Sequence, residues 1–478
     1  MKKSLIGAVL ALGLGLSPEA SALDVAARLS LLASDDNLET RDFGTLAHLG
    51  LHLRSPELGP GLRAEAEFSL LVSANNTGGL RFRDNASYVR LSWKPAAWSE
   101  GEGLALTLLP LSSTRLYLGY EYPASWGRLV YGFRGVVGDS AVGGSGVQGV
   151  ELRLARERWY AFAAAKSSLE VNPLELENER LLMGLAGAGV DVLPPLRLEA
   201  AGTLVQHGVI PGFAVQGIEQ RARTVGLSGR VLYHQGASIG PSVDFTLYRG
   251  DPEVYEKLLA PESYPGGVSA SVSLEATHLV QTLQDPAPGG TLTNRGADVL
   301  ALQARLKVDF LRVHALGMYR SASFLTSEGP GIPPFRAFPQ GGTTRPELLM
   351  SAGVDHHFAG TGLTPGLVLR AVLPSTTDAL ASIFSGNNPL PGTAGREIVV
   401  RGPFDLTFLP LGHVRQPVLT AKATLRWDVG TSLSAIGEAF YTRDPNRTVF
   451  ESDEFGVLRP VLAPPSSVGF AAVLQARF

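Results

Sequence analysis

Nine histidines and no cysteine bound the chemistry open to this chain of 478 residues. His48 and His52 stand two pleats apart in an extended segment, so both rings project from one face and could approach a metal or share a proton. No third ligand or nucleophile motif accompanies them, and they read as polar wall residues. Asp355-His356-His357 has the residue types of a phosphoesterase fragment, yet no second acidic motif supports it beside the turn HFAGTG. GSGVQG (Gly144–Gly149) lacks the strand-to-helix setting that a phosphate loop requires. Glu451, Asp453 and Glu454 form an acidic cluster that could meet calcium, although its spacing fits no EF-hand loop. Without thiols there is neither a disulfide framework nor a thiolate metal site. These residues describe a protein that is not an enzyme and needs no cofactor.

The charged residues are arranged otherwise, along alternating faces. In GLRAEAEFSLLV, Leu62, Ala64, Ala66, Phe68, Leu70 and Val72 share one side, opposite Arg63, Glu65, Glu67 and Ser69. VLALQARLKVDF repeats the pattern with Arg305 and Lys307 on its polar side, and LTAKATLRWD with Lys422 and Arg426. VSASVSLEAT opposes Val268, Val272 and Leu274 to serines and Glu275. Period-two alternation is the signature of strands. These segments run ten to twelve residues, beyond the roughly 5 to 6 of ordinary strands and close to the roughly 9 to 11 that a tilted strand needs to cross a bilayer. A second sheet could not cover so charged a face, whereas lipid outside and water inside satisfy both faces at once.

Weaker alternating segments recur from Val25 to Tyr441, among them Val243–Leu247, and PEVYEKLL (Pro252–Leu259) is the one short helical candidate. Two stretches stand out between strands: Gly127–Val137, a candidate for folding inward, and a long loop from Ser375 to Gln416, within which Ile398–Arg401 could form a further short strand. The N-terminus carries Lys2 and Lys3, an apolar run Leu5–Leu16 and the small-residue site Ala20-Ser21-Ala22, the pattern of a signal peptide cleaved after Ala22. Domains are therefore expected at 1–22, signal peptide, and 23–478, a single barrel. No run of 18 apolar residues follows that could span as a helix. A formal charge of -3 argues against a nucleic-acid partner.

The last ten residues, GFAAVLQARF, place Phe470, Ala472, Leu474, Ala476 and Phe478 on one side and Gln475 and Arg477 on the other. A signal peptide, whole-chain alternation and this terminal strand together resemble the Gram-negative outer-membrane β-barrel proteins, porin-like in type. The resemblance implies an all-β transmembrane antiparallel barrel, here of about 18–20 strands within a range of 16–22. It implies that Phe470, Leu474 and Phe478 are an assembly signal read by the barrel assembly machinery. It implies a passive channel for ions or small polar solutes, in contact with outer-membrane lipid. Arg305, Lys307, Arg312, Arg320, Lys422 and Arg426 are the wall charges expected to tune it: a slight basic excess among the polar faces points to weak anion preference, against a wall of mixed signs that cancel at short range and only keep the lumen wet. By the same resemblance, Arg396, Glu397, Arg401 and Asp405 are constriction candidates should the 375–416 loop fold inward, and surface residues should it not. The competing expectation is a barrel with a filled lumen, serving as a surface receptor or adhesin, or carrying a hydrophobic solute laterally. Trp93, Trp98, Tyr319, Trp427 and Tyr441 are expected at the membrane interfaces.

Overall fold

The computed structural model describes residues 23–38, 43–74, 80–122, 124–126, 147–244, 256, 260, 264–286, 290–331, 335–338, 343–378, 396–402 and 405–478. Both the expected signal peptide and Gly127–Val137 lie outside these residues. The strands are β1 (Asp24–Asp35), β2 (Gly44–Arg54), β3 (Leu62–Ala74), β4 (Leu80–Asp84), β5 (Tyr88–Trp93), β6 (Gly103–Leu109), β7 (Gln148–Arg156), β8 (Trp159–Val171) and β9 (Asn178–Leu193). They continue with β10 (Leu196–Val209), β11 (Arg221–Gln235), β12 (Val268–Gln284), β13 (Leu292–Val308), β14 (Leu311–Arg320), β15 (Thr344–Arg345), β16 (Glu347–His356), β17 (Leu363–Leu373) and β18 (Ser375–Thr377). The last are β19 (Ile398–Val400), β20 (Leu406–Phe408), β21 (Val418–Val429), β22 (Leu433–Arg443), β23 (Thr448–Ser452), β24 (Leu458–Leu462) and β25 (Ser466–Arg477).

One sheet of 19 strands pairs antiparallel throughout. β3 pairs with β4 through one half and with β5 through the other, so those two count as a single interrupted strand of an 18-strand barrel. β25 pairs with β1, from Arg28 opposite Arg477 to Asp35 opposite Phe470, and closes the cylinder. This is a closed antiparallel barrel, and its sheet has no open edge, which a lipid-exposed sheet cannot tolerate.

The alternation in the sequence sets the two faces. Phe68, Leu274, Leu302, Leu425 and Leu474 stand exposed on the outside, while Glu67, Ser69, Ser273, Glu275, Lys307, Lys422 and Arg426 are buried on the inside. Trp93, Trp159, Phe310 and Trp427 are exposed around the end that holds both termini, and Tyr319 and Tyr441 around the other. From Phe310 to Tyr319 a strand rises roughly 3.3 Å per residue, which at a tilt of about 40° gives ~23 Å, matching the ~25 Å apolar band of such barrels. Trp98 sits in the β5–β6 turn against Trp93, with ring centroids 6.4 Å apart. Apart from the β11–β12 connection, turns at the termini end are short: at Gly61 (φ 72°) a Cβ would fall 1.8 Å from the Lys94 carbonyl oxygen, so only glycine fits.

One sequence expectation changes in the structure, and two others take a definite place. Val243 and Asp244 are not in a strand: they belong to residues 236–267, which join β11 to β12 at the termini end, and Leu247 lies outside the described residues. Of Pro252–Leu259 only Glu256 is described, and it is helical. Ile398–Val400 is a strand, but of a separate four-stranded sheet, β15-β18-β19-β20, above the barrel rim. Its three residues are fully buried, and two of them share a cluster with Ala322, Leu325 and Phe338, which explains why an apolar triplet occurs in a loop.

Candidate functional site in the lumen

The inner wall is crossed by two segments, one from each end. Residues 110–126, between β6 and β7, enter from the end opposite the termini. Their apolar side chains Leu116, Leu118, Tyr122 and Trp126 pack on wall residues that include Met183, Val205, Leu279 and Val299. Burying such side chains contributes roughly 1.5–3 kcal/mol each. Polar contacts fix the register. The backbone amides of Tyr120 and Glu121 donate to the two oxygens of Glu275, each at 2.7 Å. Lys166 donates to Ser125 and to the Trp126 carbonyl, and the Trp126 indole donates to the Ser327 carbonyl. Arg230 lies over the Tyr120 ring at 4.1 Å while donating to Glu199. Burial raises the Tyr120 and Tyr122 phenols above their ordinary values, so both remain neutral donors.

The second segment is the β11–β12 connection, whose described residues span the lumen. The Pro241 carbonyl accepts from Arg312, and Ser242 Oγ meets His314 Nε2 at 3.2 Å, both on β14. Val243 packs with Leu71, Ile436, Ala471 and Val473, on the opposite wall. Asp244, 0% exposed, lies 2.8 Å from Lys422 and 2.9 Å from Arg370. Arg426 donates to the Ala260 carbonyl, and Tyr264 stacks on His357 with centroids 4.0 Å apart.

The two segments meet. Arg115 of the first reaches Glu256 of the second at 2.8 Å, and Arg28 on β1 reaches both Glu67 (2.5 Å) and Glu256 (3.3 Å). Burial alone would raise the Glu256 carboxyl, but the hydrogen bond and charge of Arg115 outweigh it and hold the group down to about 2. Between the first segment and the wall of β7 to β11 a cavity of about 280 Å³ remains, lined by Arg115, Tyr120, Arg153, Tyr160, Glu199 and Arg230 among others.

The wall charges named from the sequence take distinct places. Arg312 pairs with Asp355 at 2.6 Å, Arg320 with Glu347 at 2.5 Å, Lys422 with Asp244, and Arg426 with Asp428 at 2.8 Å. Arg305 and Lys307 have no carboxylate partner among the described residues, although Lys307 is only 1% exposed. Arg153 has no carboxylate partner among the described residues, its guanidinium lying 4.3 Å over Tyr160. The loop candidates sit at the rim: Glu397 accepts from Arg345, Thr376 and the Arg415 amide, Arg401 donates to Asp444, and Arg396 to the Leu409 carbonyl. Asp405 is exposed beside them. Phe470 and Leu474 lie on the outer face of β25, and Phe478, 78% exposed, exchanges two backbone hydrogen bonds with Ala27 across the closing seam. His48 is buried on the wall against Ser69 at 2.7 Å, and His52 lies 3.9 Å from Glu65. No group of three or more metal-ligating side chains occurs among the described residues.

Sequence reasoning counted Asp244 and Glu275 among the polar wall residues but did not single out Arg115 and Glu256, which join the two crossing segments. The available signal was length: residues 236–267 carry Pro241, Pro252, Pro261 and Pro265, far beyond the 2 to 5 residues of a common hairpin loop.

Neither a protein-family model nor a curated protein matches the sequence. Among solved structures, the chain is similar to OpdL of Pseudomonas aeruginosa at 12% identity, covering 96% of this chain and 99% of that one, with a TM-score of 0.45. OccK8 (OprE) of the same organism gives 10% identity over 95% and 98%, with a TM-score of 0.47. Its outer-membrane protein OprD gives 9% identity over 96% of both chains, with a TM-score of 0.46.

Proposed function

We propose that this protein is a passive channel of the bacterial outer membrane, passing ions or small polar solutes with a weak preference for anions. The observation that carries the reading is the division of faces in a closed 18-strand barrel: apolar side chains outside, charged and hydrogen-bonding side chains inside. Barrels of 16–18 strands enclose more space than their own wall residues fill. Here the inward segments take up part of that space, which restricts passage to small solutes.

The anion preference rests on the unpaired cations. Most wall arginines are neutralised by a carboxylate within hydrogen-bond distance, so their fields cancel at short range. Arg153, Arg305 and Lys307 have no carboxylate partner among the described residues, and their uncompensated charge supports the preference. Export through a signal peptide cleaved after Ala22, and insertion directed by Phe470, Leu474 and Phe478, complete the reading. Single-channel recording in a planar bilayer tests it: discrete ohmic steps are expected, with a reversal potential on the anion side in a salt gradient. Steps that reverse on the cation side would reject the preference while leaving the channel.

A further inference from the structure

The outward face of β9 to β13 changes character where it leaves the apolar band. Trp159 on β8 and Phe310 beside β14 mark one level at the termini end. Following paired residues from Trp159, strand by strand, leads to Leu302 on β13 and Gly317 on β14, six residues beyond Leu311. Six strands are crossed on the way, so the stagger is about one residue per strand. Tyr319, opposite Leu300, marks the other edge of the band, and the same stagger puts that edge at His278 on β12 and at Gly226 on β11. Just inside it, on the outer surface, lies an apolar groove of about 660 Å³, floored by Gly229 and Ala276 and walled by Leu227, Leu300 and Tyr319. At its top His278 Nδ1 lies 2.6 Å from Asp298 Oδ1, both side chains facing outward. Arg223 stands three residues beyond the edge on β11, ~8 Å higher at roughly 3.3 Å per residue and a tilt of about 40°. Gln206 faces Arg223, and Val205 beside it faces Met183, so Leu182 continues that row on β9. Arg180 lies two residues farther out, which cancels the stagger of two strands and sets it level with Arg223.

The end opposite the termini carries long connections, residues 321–346 and 374–417 among them, and in outer-membrane barrels that end faces outward. Arg180 and Arg223 are exposed on the lipid side of the wall, at the depth of the outer-leaflet phosphates. Arg180 reaches Ser167 and Arg223 reaches Thr282, each at 3.4 Å, and neither has a carboxylate partner among the described residues. Arg221, by contrast, is already held by Glu179 and Glu219. We propose that β9 to β13 carry a seat for a phosphorylated glycolipid of the outer leaflet, with Arg180 and Arg223 on its phosphates and an acyl chain in the groove. The inference rests on the outer-membrane reading above. Charge and spacing select this occupant. Two strand spacings and a two-residue offset place the arginines ~12 Å apart, which suits one head carrying two phosphates and not a phospholipid carrying one. Guanidinium is the side chain best matched to phosphate oxygens. Gln206, Thr282 and Asn294 add hydrogen-bonding groups beside Arg223, with Thr282 donating to Asn294 at 2.9 Å, as the hydroxyl and amide groups of a sugar require.

Native mass spectrometry of the detergent-refolded barrel tests the seat by lipid retention, with heat-modifiable gel migration showing that each protein is folded. The probes are diphosphoryl lipid A, the same lipid stripped of both phosphates, and phosphatidylglycerol. Each arginine beside an anionic lipid contributes about fivefold, so Arg180→Ser/Arg223→Ser is expected to bind diphosphoryl lipid A at least about tenfold more weakly than wild type. Stripping the phosphates should weaken wild-type binding by a similar factor, a comparison that needs no substitution, and phosphatidylglycerol should bind more weakly than diphosphoryl lipid A. Arg443→Ser removes another outward arginine, two residues beyond Tyr441 on β22, and should stay within about twofold of wild type. A double variant within about twofold of wild type, an equal loss from Arg443→Ser, or equal binding of either comparison lipid overturns the seat and leaves the channel reading standing. A wild-type chain that forms no heat-modifiable barrel and enters no vesicle overturns the outer-membrane reading with it.

Discussion

Glu275→Gln isolates what holds the upper crossing segment in place. In the wild type both Glu275 oxygens are 2.7 Å from backbone amides, those of Tyr120 and Glu121, with Ser228 adding a third donor at 3.3 Å. Glutamine keeps one acceptor oxygen but sets an NH2 donor against the other amide. One hydrogen bond to a charged group, worth roughly 1.5–3 kcal/mol, is lost, and the remaining one weakens as the charge disappears. A net loss of about 3 kcal/mol in docking raises the population of the undocked segment roughly 10²-fold. Arg115, 9% exposed on its side chain and bound to Glu256, is the trypsin site on that segment. Where opening is fast, cleavage follows the open population. Folded Glu275→Gln barrels should therefore be cut after Arg115 about 10²-fold faster than wild type, with the other sites unchanged. Cleavage within about threefold of wild type would refute the docking role of Glu275, and uniform acceleration at all sites would show that the barrel itself had loosened.

Three further outcomes follow from the same geometry. Lys307→Glu together with Arg305→Glu should move the reversal potential toward cations, because both lack a carboxylate partner among the described residues; an unmoved potential would place the selective charges elsewhere. Deleting Phe478 removes both backbone bonds to Ala27 at the seam and the terminal aromatic residue, and should lower the folded fraction recovered from outer membranes. Wild-type recovery would remove the terminal Phe from the account of assembly. The Glu256 carboxyl, facing Arg115, Arg28 and Glu67, has a depressed folded value, so its bridge contributes above the unfolded value and is lost only as pH falls through about 2. The Arg115–Glu256 link should thus survive acidification to about pH 4, read as the same yield of crosslink between the two segments at pH 4 as at neutral pH; a lower yield would refute it.

The strand faces were legible because period-two alternation is local: Leu62 to Val72 declare an outside without knowledge of any neighbour, and Arg305, Lys307, Lys422 and Arg426 declare an inside. Strand number was legible only as a range, because β4 and β5 are one interrupted strand and β18 to β20 are strands of a rim sheet. The crossing segments were not legible. Asp244 gains its meaning from Lys422 and Arg370, more than a hundred residues away in the chain, and an alternating triplet around Val243 imitates a strand. The aromatic run Tyr117, Tyr120, Tyr122, Trp126 was not singled out in the sequence, and the stretch expected to fold inward, Gly127–Val137, lies outside the described residues.

Single-channel recording of the refolded wild-type barrel across a salt gradient tests the central claim most directly. The account predicts discrete ohmic steps reversing on the anion side. Membranes that stay silent while gel migration shows folded, inserted barrels would contradict it.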